Sequence, residues 1–172
     1  MKELLVVVDM QKDFVDGALG TAEAEAIVPA VEKAILAAKQ RGAEIVFTQD
    51  THGENYLDTQ EGHNLPVPHC IRGTDGWQIV PALRPYAEGC RVFEKPAFGS
   101  MALADYAREQ QFERIELVGL CTDICVLSNA ILLKAALPET PVAVHGSCCA
   151  GVTPESHANA LAALQMCQVA VD

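Results

Sequence analysis

A chain of 172 residues, half of them hydrophobic and 20% charged, is long enough for one globular domain with a sizeable core. A formal net charge of −11 with no run of basic residues argues against nucleic acid and anionic membrane surfaces as partners. Seven cysteines make an odd number, and the opening apolar run Leu4–Val8 is too short for a signal-peptide core, so reduced thiols and a cytoplasmic protein with no membrane span are expected.

Leu4–Val8 is uninterrupted and apolar, the pattern of a central parallel strand covered on both faces. It delivers Asp9 to its carboxyl end, where open α/β sheets bind ligands, although an Asp there is often only a cap. Glu23–Arg41 carries Ile27, Val31, Ala34, Ile35 and Ala38 at helical spacing, and Gly42 stops it. Glu44–Thr48 is the next strand, followed directly by Asp50 and His52. From Gln49 to Trp77 little periodicity is visible, and a loop of that length inside a compact domain is usually functional. Asp50, His52, Glu61, His63 and His69 offer more than enough ligands for one divalent metal, and mixed imidazole and carboxylate donors suit Zn, Mn or Fe. The spacing matches no zinc finger, and a polar surface loop with scattered His is the plain alternative. Trp77–Glu88 reads as a short helical connection broken by Pro81 and Pro85. Arg91–Glu94 is a third strand ending at Lys95, a position where a Lys is ordinarily solvated.

Leu103–Phe112 is a helix, and Ile115–Val118 is a buried strand closed by Gly119. After a short turn, Val126–Ala136 is again helical. Cys125 therefore falls where a strand turns into the first turn of a helix. Free N–H groups and the helix dipole there favour a thiolate, the nucleophilic form, and the same N–H groups suit a developing oxyanion. The alternative is a small apolar Cys packed at a junction. Cys121 and Cys125 have neither the usual redox spacing nor that of a metal knuckle. Pro141–His145 is a strand, Gly146–Val152 a loop, and Thr153 with Pro154 opens a helix running to about Met166 before a last strand, Gln168–Val171. The pattern predicts a single domain, residues 1–172: a three-layer α/β/α, doubly wound, six-stranded and mostly parallel sheet. Asp9, Asp50 with His52, Lys95 and the Cys125 turn each fall just beyond a strand's carboxyl end. Four unrelated structural roles would have no reason to share that placement.

The stretches Val8-Asp9-Met10-Gln11-Lys12-Asp13-Phe14, Lys95-Pro96-Ala97-Phe98-Gly99-Ser100 and Gly119-Leu120-Cys121-Thr122-Asp123-Ile124-Cys125-Val126 resemble, in that order, motifs of the isochorismatase-like cysteine hydrolases, nicotinamidase-related branch. The resemblance covers essentially the whole chain. It implies a catalytic triad of Asp9, Lys95 and Cys125. It also implies a cis peptide before Cys121 and an oxyanion hole from the N–H groups of Cys121 and Cys125. It implies a metal, zinc first with Mn or Fe as alternatives, held by Asp50, His52 and His69 with Glu61, or His63, completing the set. The activity implied is hydrolysis of a small amide through a Cys125 thioester, nicotinamide being the first choice and NAD salvage its setting, in a homo-oligomer. Phe14, Tyr56, Trp77 and Phe98 are the candidates for a flat aromatic pocket. The rival substrates are an N-carbamoyl amino acid, ureidoacrylate, maleamate or an isochorismate-type compound. Each bears a carboxylate and needs a cationic pocket group such as Arg72.

Overall fold

The computed structural model describes residues 1–172. Its first strand, β1 (Glu3–Val8), turns Leu4, Val6 and Val8 to one face and Leu5 and Val7 to the other, and all five are buried. A strand that is apolar on both faces has to lie inside a covered sheet. A single turn, α1 (Lys12–Val15), follows it. The long helix α2 (Ala22–Arg41) begins at Thr21, whose hydroxyl accepts the Ala24 N–H, and ends at Gly42 in the left-handed region at φ 74°. Then come β2 (Glu44–Asp50), the short helices α3 (Gln60–Asn64) and α4 (Arg84–Ala87), and β3 (Arg91–Lys95). The second half runs α5 (Met101–Gln110), β4 (Arg114–Leu120), α6 (Leu127–Ala136), β5 (Val142–Ala150), α7 (Pro154–Met166) and β6 (Ala170–Val171).

The six strands form one sheet in the order β3-β2-β1-β4-β5-β6, every neighbouring pair parallel. One face is covered by α5, α6 and α7 through Leu103, Leu133 and Leu164. The other is covered by α2 through Ile27, Val31 and Ile35, with Leu83 beside them. The chain builds outward from β1 to β3, then returns through α5 to place β4 on the opposite side of β1. The order therefore reverses between β1 and β4, and their carboxyl ends open the crevice in which such sheets bind ligands. No helix is long and apolar enough to cross a membrane.

The larger departures from the sequence expectation are four, while other element ends shift by one or two residues, as where β2 runs on to include Asp50. The expected loop Gly146–Val152 is largely strand: β5 continues to Ala150 because Cys149 and Ala150 pair with Gly119 and Leu120 beyond a register shift in β4. Partner hydrogen bonding there overrides the weak strand preference of Gly146 and Ser147. Only Arg84–Ala87 of the segment Trp77–Glu88 is helical, since the Lys12 and Val80 N–H groups pair across to Gln78 and Met10 and hold residues 78–80 against the β1 loop. The 49–77 loop is not structureless, because a 3₁₀ turn at Tyr56–Asp58 and α3 shape it. The last strand shrinks to two residues.

At the crevice β1 and β4 approach closely. Gly119, the register partner of Val8, has φ +117°, and a Cβ built on it lies 2.2 Å from the Val8 carbonyl oxygen. Gly119→Ala is expected to cost about 3 kcal/mol or more, from a disallowed backbone angle plus overpacking. Urea unfolding checks this, and an unchanged midpoint would show that the two strands can separate at no cost.

Candidate active site

Four strand ends deliver the polar residues of the crevice, and all of those residues are nearly inaccessible. Asp9 leaves β1 with φ 46°, and its backbone N–H bonds back to Thr48 on β2. The Thr48 hydroxyl donates to Asp9 Oδ1 at 2.6 Å. Lys95 ends β3 as the register partner of Asp50, so the sheet itself sets them side by side. Its ammonium lies 2.6 Å from Asp9 Oδ2, 3.3 Å from Cys125 Sγ and 3.5 Å from Asp50 Oδ1, with a fourth contact to the Ala97 carbonyl at 3.1 Å. The structure thus brings Asp9, Lys95 and Cys125 into contact.

Cys125 sits in a π-helical turn, Thr122–Val126, ahead of α6, and not in the first turn of a regular helix. The Ile124 and Val126 N–H groups both turn back to the Cys121 carbonyl, and the Cys121 N–H donates to no backbone carbonyl. The Leu120–Cys121 peptide is cis. The expected preference for a thiolate meets an opposing effect. Burial, and next to it the Asp9 charge, push the Cys125 thiol well above its ordinary range, with Lys95 opposing. Burial and the nearby Asp50 raise Asp9 against the pull of Lys95. Burial works against the Lys95 charge, but Asp9, Cys125 and Asp50 outweigh it and hold the ammonium far above its usual range. Burial thus favours the thiol over the thiolate and raises the basicity of the carboxylate beside it, while Lys95 works against both effects.

Next to this group lies a second one. Asp50, His52, Glu61 and His69 place one donor atom each within 4.8 Å of one another. His52 Nε2 is 2.8 Å from Asp50 Oδ2 and 3.6 Å from Glu61 Oε1, and His69 Nε2 is 3.4 and 3.6 Å from the same two atoms. The His69 Nδ1–H donates to the Val67 carbonyl at 2.8 Å, which leaves Nε2 to face the cluster. Burial and the Asp50 charge raise Glu61. Two carboxylates and two imidazoles converging in a dry site fit a divalent transition metal, which would offset that repulsion. His63 is exposed at the end of α3 and stands outside the cluster.

Both groups open onto a cavity of about 300 Å³, with Asp50, Glu61, His69, Cys121 and Cys125 in its wall. The rest of the wall is mainly apolar, and no Lys or Arg lines it. Phe14 and Phe98 line it as the sequence suggests; Tyr56 and Trp77 do not. Tyr56 is fully buried behind the cluster, edge-on to His52 and His69, with its hydroxyl on the Leu65 carbonyl. The Trp77 indole N–H donates to Thr51, and its carbonyl accepts from Gln11 and Gln49, so it packs outside the cavity. Leu19, Leu65, Leu120, Ile124 and Val152 take those places, and nothing in an apolar residue's local sequence distinguishes a cavity wall from a core. Gln11 was also missed. Its amide brackets Asp50, accepting from the Asp50 N–H at 2.8 Å and donating to the Asp50 carbonyl at 2.9 Å. Its place between Asp9 and Asp13 is the one sequence signal it carries.

Removing the ammonium leaves Asp9 and Asp50 buried without their counter-ion. Lys95→Met is expected to lose about 3–5 kcal/mol at neutral pH. Lys95 lowers Asp9, so the variant's Asp9 rises further above the ordinary 3.8. A carboxyl raised in the folded state destabilises progressively as pH climbs through that window. The deficit should therefore be smaller at pH 5 than at pH 8, as denaturant titrations at the two pH values would show. A deficit that grows on acidification would contradict the assignment of the buried charges.

The isochorismatase domain model matches residues 3–172. The isochorismatase family protein PncA of Bacillus subtilis is 32% identical over 94% of this chain and 93% of its own length. Among solved structures, the pyrazinamidase/nicotinamidase of Streptococcus mutans superposes with a TM-score of 0.89 at 29% identity, covering 99% of this chain and 100% of that one. The pyrazinamidase of Pyrococcus horikoshii, solved in complex with zinc, gives a TM-score of 0.84 at 29% identity over 100% of this chain and 99% of its own. With the fold and nearly its whole length matched, this chain belongs to the isochorismatase family.

Proposed function

We propose that this protein is an amidohydrolase that cleaves the carboxamide of a small neutral heteroaromatic amide, nicotinamide first, giving the carboxylate and ammonia. One observation carries the reading: the Asp9–Lys95–Cys125 contacts and the Asp50/His52/Glu61/His69 cluster share one small, largely apolar cavity with no Lys or Arg in its wall. Structural neighbours known as a pyrazinamidase/nicotinamidase and a pyrazinamidase support it. A planar ring suits a cavity of this size walled by Phe14, Phe98 and Ile124, with its amide toward sulfur.

In this mechanism the thiol proton passes to Asp9 as Cys125 sulfur forms a bond to the amide carbon. The developing oxyanion is held by the N–H groups of Cys121 and Cys125. Asp9 then returns its proton to the amide nitrogen, the C–N bond breaks, ammonia leaves and a thioester remains. Asp9, ionised again, takes a proton from water as the water oxygen attacks the thioester. The C–S bond breaks, Asp9 returns that proton to sulfur to re-form the thiol, and nicotinic acid departs and loses its proton to solvent as nicotinate. Lys95 stays protonated and balances whichever neighbour carries the negative charge. Asp50, His52, Glu61 and His69 would hold a divalent metal, zinc being the first choice, which when bound offers a Lewis-acid anchor for the pyridine nitrogen.

The rival substrates share a carboxylate, and no Lys or Arg side chain lines the wall to meet one. Arg72, the group named for that role, is engaged by Glu94 and lies over Trp77 on the outer surface.

Ammonia release from nicotinamide should be lost at least about 10³-fold in Cys125→Ala, as for removal of a covalent nucleophile. It should fall on chelation and return with added zinc. Retained turnover in Cys125→Ala would end the thioester mechanism. A folded, zinc-loaded protein that leaves nicotinamide intact would remove that substrate.

A further inference from the structure

Two loops must keep a fixed separation for Lys95 to reach Cys125: the β3–α5 loop, which starts at Lys95 and includes Phe98, and the π-helical turn before α6. Two side chains bridge them. One is Lys95 itself. The other is Asn129, one turn along from Cys125 and 1% exposed. Its Nδ2 donates to the Cys125 carbonyl at 2.8 Å and to the Phe98 carbonyl at 3.2 Å. Its Oδ1 accepts the Ser100 N–H at 2.9 Å.

An amide is a costly residue to bury, tolerated only when its bonds are made. Its neighbours on the same helix face, Ala130 and Leu133, are apolar and fully buried, so packing alone is met there without polar groups. Every Asn129 bond ends on backbone beside the reactive pair: on the nucleophile's own carbonyl, on the cavity-wall residue Phe98, and on Ser100, the N-cap of α5. The loop is seated closely on α6, where a Cβ at Gly99 lies 2.5 Å from Leu132 Cδ1.

We infer that Asn129 is a positioning residue that sets the Cys125–Lys95 distance and holds Phe98 against the cavity, by tying the nucleophile turn to the lysine loop. The inference rests on the reading of Cys125 and Lys95 as the reacting pair. Asn129→Leu keeps the size and removes all three bonds. Asn129→Asp keeps an acceptor for the Ser100 N–H and removes only the two donations, and it serves if the Leu variant does not fold. In each, kcat for nicotinamide is expected to fall about 10–100-fold, the scale of a misplacement near 1 Å, with KM within about threefold of wild type. Ala130→Gly, which weakens the same helix without touching these bonds, is expected to keep wild-type kcat in its folded form. Iodoacetamide labelling of Cys125 at fixed pH, read by mass spectrometry, should slow in both Asn129 variants but not in Ala130→Gly.

Wild-type kcat and labelling in the folded Asn129 variants would overturn the inference. So would an equal loss in Ala130→Gly, which would make the effect one of stability. If the wild type releases no ammonia from nicotinamide, the substrate reading fails by itself, and the labelling rates still decide the role of Asn129.

Discussion

The crevice depends on one buried ammonium. Lys95 is inaccessible at the centre of the site, touching Asp9, Cys125 and Asp50. A lone charge there would be untenable, and so would either carboxylate alone. The three strand ends that supply them are consequently tied to one another by electrostatics as well as by the sheet. The ammonium also sets the chemistry, since it opposes the burial that raises Asp9 and the Cys125 thiol. In the proposed mechanism, transfer of a proton from sulfur to carboxylate would move a negative charge between two atoms that both lie beside the same cation, so its stabilisation would not be lost along the way.

Asp50 joins the two halves of the cavity. Oδ1 faces Lys95, while Oδ2 faces His52 and His69. Hydrogen bonds from those imidazoles, with Lys95, outweigh burial and hold this carboxyl below the usual carboxylate range. One side chain therefore belongs to both the Lys95–Cys125 end and the His52/Glu61/His69 end. Gln11 fixes its backbone from both sides, so neither end can shift without the other. Precision of this kind comes cheaply from a parallel sheet, because the Asp50–Lys95 pairing is a matter of strand register and not of loop conformation.

Much of this was legible in the residues. Strands that are buried on both faces announce themselves as apolar runs, so β1 and β4 could be placed, and with them Asp9 and Cys125 at their ends. The end of α2 followed from Gly42 and the start of α7 from Thr153 with Pro154, because capping is local chemistry. Where the outcome depended on a distant partner, the reading failed. Strand β5 runs past Gly146 because β4 lies beside it. Tyr56 and Trp77 were pocket candidates by type, and their surroundings took them elsewhere.

By itself the sequence determined the succession of strands and helices, the polar residues at the strand ends, and the pool of candidate metal donors from which the set would be drawn. Those depend on short-range pattern and residue type, which a linear string carries. The tertiary structure alone decided that Glu61 and not His63 stands with Asp50, His52 and His69. It also decided that no Lys or Arg lines the cavity wall, that burial and the Asp9 charge oppose a Cys125 thiolate, and that Asn129 spans two loops. Each of these depends on which residues distant in sequence share one dry volume, and on the charges that meet there.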